Sequence, residues 1–240
     1  MTTFPAKILF PTDGSKDAEL AATTAVALTK LTGSELHVVT VAEEYPSYEA
    51  YRPLAERSRH LARKVLDGQV RKVEHLDGAV AQSHLAMGRA GEEVVELAEE
   101  IEAGLVVIGS RGHGRMTRAL MGSVSDSVVR HAHCPVMVLR WKPVVFPARI
   151  LLATDGSKEA ELAASTTADL SKRTGSELHV VTVALENPSV YAYYDVRHPA
   201  EVEQLRQEAR EILDQQVARV LEAGGAKRSH TSAWGCRARR

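Results

Sequence analysis

Several features that would assign a chain to a common class are missing here. Only two of 240 residues are cysteines, Cys134 and Cys236. That is too few for a disulfide framework and suits a reducing compartment. Neither charge sign dominates: 30 Lys and Arg face 31 Asp and Glu, for a net charge of -1. Broad electrostatic attraction to nucleic acid or to an anionic membrane is therefore not expected. The N-terminus, "MTTFPAKILFPTDG", turns polar too soon for the apolar region of a signal peptide. No unbroken apolar run is long enough to span a bilayer. The expectation is a soluble cytoplasmic protein without nucleic-acid or membrane partners.

What is present is a repeat. "ILFPTDGSKDAELAATTAVALTKLTGSELHVVTVA" from Ile8 to Ala42 recurs as "ILLATDGSKEAELAASTTADLSKRTGSELHVVTVA" from Ile150 to Ala184, with 26 of 35 positions identical. A unit of this size is a duplicated domain and not a short solenoid repeat. "RWKPVVFPAR", from Arg140 to Arg149, has two prolines and reads as the linker. The expected domains are residues 1–142 and 147–240.

Within the first copy, "AKILFP" and "ELHVVTVA" read as buried strands. The stretch between them has helical periodicity through Leu20, Ala27, Leu28 and Leu31, with Ser15 as cap and Gly33 as stop. A helix from about Leu54 to Leu76, a weaker strand in "AVAQSHLAM", a helix in "AGEEVVELAEEIEAG" and a strand in "LVVIGS" follow. A glycine-rich loop, the helix "SVSDSVVRHAH" and the strand "PVMVLR" complete the copy. Alternating strands and helices with short connections argue for an α/β fold, a parallel sheet covered on both faces. The second copy runs strand, helix, strand, then a long helix from roughly Pro199 to Leu221, and "GGAKRSH" matches "GAVAQSH" of the first. The remaining "TSAWGCRARR" shares no pattern with the first copy. As it stands, the second copy is expected to be incomplete, with no third helix, fourth strand, glycine loop, fourth helix or fifth strand.

The loop occurs once. Gly109, Gly112 and Gly114 are expected to adopt positive φ and to let the backbone approach a ligand, with successive N–H groups turned into one concavity that suits an anion. Gly122 and Ser123 then open a helix, whose free N–H groups attract phosphate, and the Ser123 and Ser125 hydroxyls can add bonds. Arg111, Arg115 and Arg118 could neutralise phosphate. Asp13, also at a strand carboxyl end, has the wrong sign for phosphate and suits ribose hydroxyls. No G-x-x-x-x-G-K-[ST] loop occurs, and Thr117 stands where the third glycine of G-x-G-x-x-G would be.

Gly109, Gly112, Gly122 and Ser123 instead form G-x2-G-x9-G-[ST], which resembles the ATP-binding signature of the universal stress proteins; "FPTDGS" and "CPVMVLR" are similar to that family's first and last strands. The resemblance spans residues 6 to 140 in full and about 149 to 230 in part. It implies the adenine nucleotide alpha hydrolase-like fold, a doubly wound five-stranded parallel sheet, here duplicated. It also implies ATP, with Mg²⁺, bound between the first and fourth strands. Residue by residue it places Pro11, Thr12, Asp13 and Val41 around adenine and ribose, and Gly109, Ser110, Arg111, Gly112, Gly122, Ser123, Val124 and Ser125 around phosphates and ribose. Dimerisation through the last strand, Pro135 to Arg140, is the implied assembly.

Three functions are compatible with these residues: a nucleotide-dependent regulatory protein of the stress response, a slow ATPase or autophosphorylating enzyme, and a nucleotide-independent dimeric scaffold. The enzyme would need a base or acceptor near the γ-phosphate, for which only His113, Ser110 and Ser123 offer themselves. "HAHC", with His131, His133 and Cys134, contains metal-ligand types but has no second cluster at structural spacing; a helix end entering a strand accounts for it. Cys134 reads as a small buried residue before Pro135, with a redox-sensitive thiol as the alternative. "YPSYEAYRP" and "YAYYDVRHP" read as loop aromatics packing over the sheet edge.

Overall fold

The computed structural model describes residues 4–112, 121–140, 146–183, 199–222 and 228–233. His113, Gly114, Arg115, Arg118 and Cys236 lie outside the described residues, as does the tyrosine-bearing stretch of the second copy. The chain divides into two compact units, one formed by Pro5–Val145 and the other by Phe146–Arg240 with Met1–Phe4.

The first unit alternates β1 (Lys7–Pro11), α1 (Lys16–Thr32), β2 (Glu35–Ala42), α2 (Arg52–His75), β3 (Gln82–Met87), α3 (Ala90–Glu100), β4 (Leu105–Gly109), α4 (Ser123–His131) and β5 (Val136–Leu139). A short 3₁₀ turn at Glu49–Tyr51 leads into α2. The five strands are all parallel, in the order β3-β2-β1-β4-β5. The fold is therefore the doubly wound α/β sheet expected from the sequence. β1 and β4 are continuous apolar runs because they lie mid-sheet with both faces covered; Ile8, Leu9 and Phe10 of β1 are wholly inaccessible.

α1 begins and ends where its residues dictate. The Ser15 hydroxyl accepts from the Ala18 amide, and Gly33 takes the left-handed conformation at φ 76° that a side chain would resist. Its buried face differs from the expected leucine stripe. Ala18, Ala21, Ala22, Ala25 and Leu28 are buried, whereas Leu31 is exposed. Small side chains let the helix lie close on the sheet, and that closeness matters at the site. Tyr48 also departs from expectation: it is 73% exposed.

The second unit has β6 (Arg149–Ala153), α5 (Lys158–Thr174), β7 (Glu177–Val183), α6 (Pro199–Glu222) and β8 (Arg228–Ala233). Its strands form a parallel sheet in the order β6-β7-β8. Repeated sequence rebuilds repeated local structure: Ser157 caps α5 and Gly175 stops it at φ 71°. Leu66, Gln69 and Val73 of α2 find buried counterparts in Leu213, Gln216 and Val220 of α6. One expectation is corrected. Thr231, Ser232 and Ala233, read as part of a patternless tail, extend β8 opposite Val181, Thr182 and Val183, since a parallel neighbour offers their backbone groups a ladder whatever the side chains.

Candidate functional site

After β3 the chain starts adding strands on the other side of β1, and in such sheets a crevice opens at the carboxyl ends beside the reversal. A cavity of about 310 Å³ lies there, within the range of small-molecule sites. Among the described residues, every site residue expected from the sequence lines it except Ser110. The lining also includes Ala18, Val39, Ala90, Val94, Ile108 and Met121, which sequence reading missed. Ile108 and Met121 each precede a motif glycine, so adjacency could have found them. Ala90 and Val94 sit on α3 and carry no local signal.

The β1–α1 turn is built locally. Gly14 takes φ 77°; its amide donates to the Thr12 hydroxyl at 3.2 Å, and the Ser15 amide donates to Asp13 Oδ1 at 2.9 Å. The second unit repeats this turn with Thr154, Asp155, Gly156 and Ser157 at the same distances. There, hydrogen bonds from Ser157 hold the Asp155 carboxyl below the usual carboxylate range. Asp13 also lines a cavity with Gly109, Gly112 and Gly122 of the glycine loop.

That loop is closed at its neck. The Gly122 amide donates to the Ser110 carbonyl at 2.8 Å, and the Ser125 hydroxyl donates to the same carbonyl at 2.9 Å and to Gly122 O at 3.0 Å. Ser125 thus fastens the loop with the hydroxyl that the sequence reading assigned to a ligand. Ser110 is almost fully buried, and its hydroxyl donates to Asp17 Oδ2 at 2.8 Å. Gly122 caps α4 in extended conformation without any side-chain bond to the first turn. The leading amides of α4 are thereby left for an anion. Arg111 lines the cavity, and its Nε is buried without a hydrogen-bond partner among the described residues. Ser123 is exposed at the helix start.

The described loop glycines do not have the positive φ expected of them; none of Gly109, Gly112 and Gly122 is among the residues that do. They are needed for proximity. A β-carbon on Gly109 would stand 2.6 Å from the Asp17 backbone carbon, and one on Gly112 would strike the Asp13 carboxylate. A β-carbon on Gly122 would project into the loop, 3.8 Å from the Gly112 amide nitrogen.

The "HAHC" residues are spent elsewhere. His131 Nδ1 lies 2.8 Å from the Ser127 carbonyl, and His133 Nε2 lies 2.8 Å from Glu99 Oε1. Cys134 is half-buried, and burial pushes its thiol pKa up. Among the described residues no group of three or more His, Cys, Asp or Glu side chains could hold a metal ion. No helix among them is long and apolar enough to cross a membrane.

The universal stress protein family model matches residues 6–140 and again 148–240. The chain belongs to the universal stress protein family. A Staphylococcus aureus (strain USA300) protein named for that family is 36% identical over 137 residues, covering 55% of this chain and 82% of its own. Universal stress protein UspA from Lactobacillus plantarum is 25% identical with a TM-score of 0.51, covering 56% of this chain and 97% of its own. A universal stress protein from Archaeoglobus fulgidus covers 96% of this chain and 77% of its own at a TM-score of 0.66; with 22% identity it is similar in fold alone.

Proposed function

We propose that the first unit binds one adenine nucleotide, ATP as its Mg²⁺ complex, and that this universal stress protein acts as a nucleotide-dependent regulator. One observation carries the reading. A single cavity holds a carboxylate at one place and, at another, an uncapped helix start with Arg111, whose Nε has no hydrogen-bond partner among the described residues. Asp13 suits the ribose hydroxyls. The α4 amides and Arg111 suit phosphate. The apolar lining from Val39, Val41, Val94 and Ile108 suits the faces of a base.

The regulatory reading is preferred to an enzymatic one because, among the described residues, the site offers binding groups and no positioned base; His113 lies outside them. The Ser110 hydroxyl is engaged with Asp17, and Ser123 has no general base bonded to it among the described residues. Nucleotide occupancy would then set the affinity for a partner. We further propose a homodimer through β5, which lies at the edge of the sheet. Purified protein should release a nucleotide when denatured, identifiable by chromatography. Bound ATP supports the regulatory reading; ADP accumulating with time would favour an ATPase, and an empty protein that takes up no added nucleotide would favour a scaffold.

A further inference from the structure

We infer that Asp17 is a positioning residue for the glycine loop, holding the phosphate-binding edge of the cavity in place through Ser110. This inference rests on the nucleotide-binding reading above and assigns a role to a residue that does not line the cavity.

Each polar group of Ser110 has a task. Its amide donates to Leu139 O at 2.8 Å, tying it to β5. Its carbonyl accepts from Gly122 N and Ser125 Oγ, closing the loop. Its hydroxyl reaches back to Asp17 Oδ2. Next to it, the Ser15 hydroxyl donates to the Arg111 carbonyl at 3.2 Å. The first turn of α1 thus grips the first two residues of the loop, and Asp17 supplies the charged member of that grip. A hydrogen bond to a carboxylate from a buried hydroxyl is among the stronger kinds.

Geometry explains why the residue is aspartate. With no β-carbon on Gly109, the end of β4 rests against the backbone of Asp17 and Ala18; an added β-carbon would lie 2.6 and 2.8 Å from their atoms. At that separation the Asp17 carboxylate, one methylene from its Cα, reaches Ser110 Oγ at 2.8 Å, and a longer acid is expected to seat the bond less well. At the matching position α5 carries Glu159 behind the same Ser157 cap, and either acid serves the partial positive charge of a helix start. A loop neck fixed before the ligand arrives binds phosphate without paying to be ordered.

The test uses the full chain and two ligands, ATP and adenosine, titrated calorimetrically into wild type and into Asp17→Ala, Asp17→Glu and Asp17→Asn. Asp17→Ala and Asp17→Glu should weaken ATP by about tenfold or more while changing adenosine by less than about twofold. Asp17→Asn, which keeps an acceptor at the same reach, should stay within about threefold of wild type for ATP. Ser110→Ala should match Asp17→Ala, and the double variant should be no weaker than either, as expected for two halves of one contact. Equal losses for ATP and adenosine would reduce Asp17 to a general fold residue and overturn the inference, as would an Asp17→Glu variant that binds ATP like wild type. If wild type binds both ligands and Asp17→Ala is indifferent, the inference alone fails. If wild type binds neither, the nucleotide reading fails and takes the inference with it.

Discussion

Leu9 and Leu151 are the same residue at the same position of the duplicated first strand, yet Leu9 is wholly buried and Leu151 is 67% exposed. The difference lies in the neighbours. β1 sits between β2 and β4, under the cluster that joins Leu9 to Val94, Val106, Ile108 and Val128. Among the described residues β6 has β7 alone beside it. Full burial of a leucine contributes about 1.5–3 kcal/mol, and the second unit forgoes most of it here. Leu9→Ala should therefore destabilise the first unit by about 2–5 kcal/mol, whereas Leu151→Ala should change the second by less than about 0.5 kcal/mol. Denaturant unfolding of both variants checks this.

Hydrogen exchange offers a second view of the same asymmetry. Backbone amides of β6 and β7 should exchange at least about tenfold faster than those of β1 and β2. Equal protection in the two units would mean that something covers the β6 edge in solution.

A histidine pair gives the first unit an acid-sensitive seam. His37 Nδ1 lies 3.1 Å from His84 Nε2 across the β2–β3 ladder, with the rings stacked. His37 Nε2 lies 3.7 Å from Glu35 Oε2, within ion-pair range but too far for a hydrogen bond. Burial lowers the His84 pKa, His37 lowers it further, and Glu100 opposes them. A depressed folded pKa means that the native state binds fewer protons than the unfolded chain. The contribution is present above the ordinary histidine pKa of about 6.5 and is lost as pH falls through the folded value. His84→Gln should flatten the loss of stability below pH ~6.5 in melts collected across that range; an unchanged acid limb would exclude the pair as its source.

The β5 edge leads to a clean test of the proposed dimer. The carbonyls of Pro135 and Leu139 accept from Val106 and Ser110 of the β4 side, so strand alternation turns the N–H and C=O of Val136 and Val138 outward. Val138→Pro removes an outward donor without taking one from β4, and two-fold pairing would feel the loss twice. Self-association measured by sedimentation should weaken by on the order of tenfold or more. A wild-type monomer at micromolar concentration would count against the interface.

Much of this architecture was legible in the residues, for stated reasons. The apolar runs of β1 and β4, the Ser15 and Gly33 boundaries and the single glycine loop are local signals, and the structure brings the motif residues to one cavity. What stayed hidden depended on packing between distant segments. The alanine face of α1 shows its purpose only against β4, where Gly109 meets the Asp17 backbone. The engagement of Ser110 and Ser125 within the protein could not be read from their types, because a serine near a glycine loop can face either the ligand or the loop itself. β8 runs past the point where resemblance to the first copy ends, since backbone pairing does not depend on a side-chain pattern.

The most direct test of the central claim is the stoichiometry of ATP binding to the full chain, measured by calorimetry in the presence of Mg²⁺. The expected result is one site per chain, abolished by Gly122→Val, whose branched side chain would fill the concavity beside the Gly112 amide, and unchanged by Asp155→Ala. Two sites per chain, or a single site that survives Gly122→Val, would contradict the account.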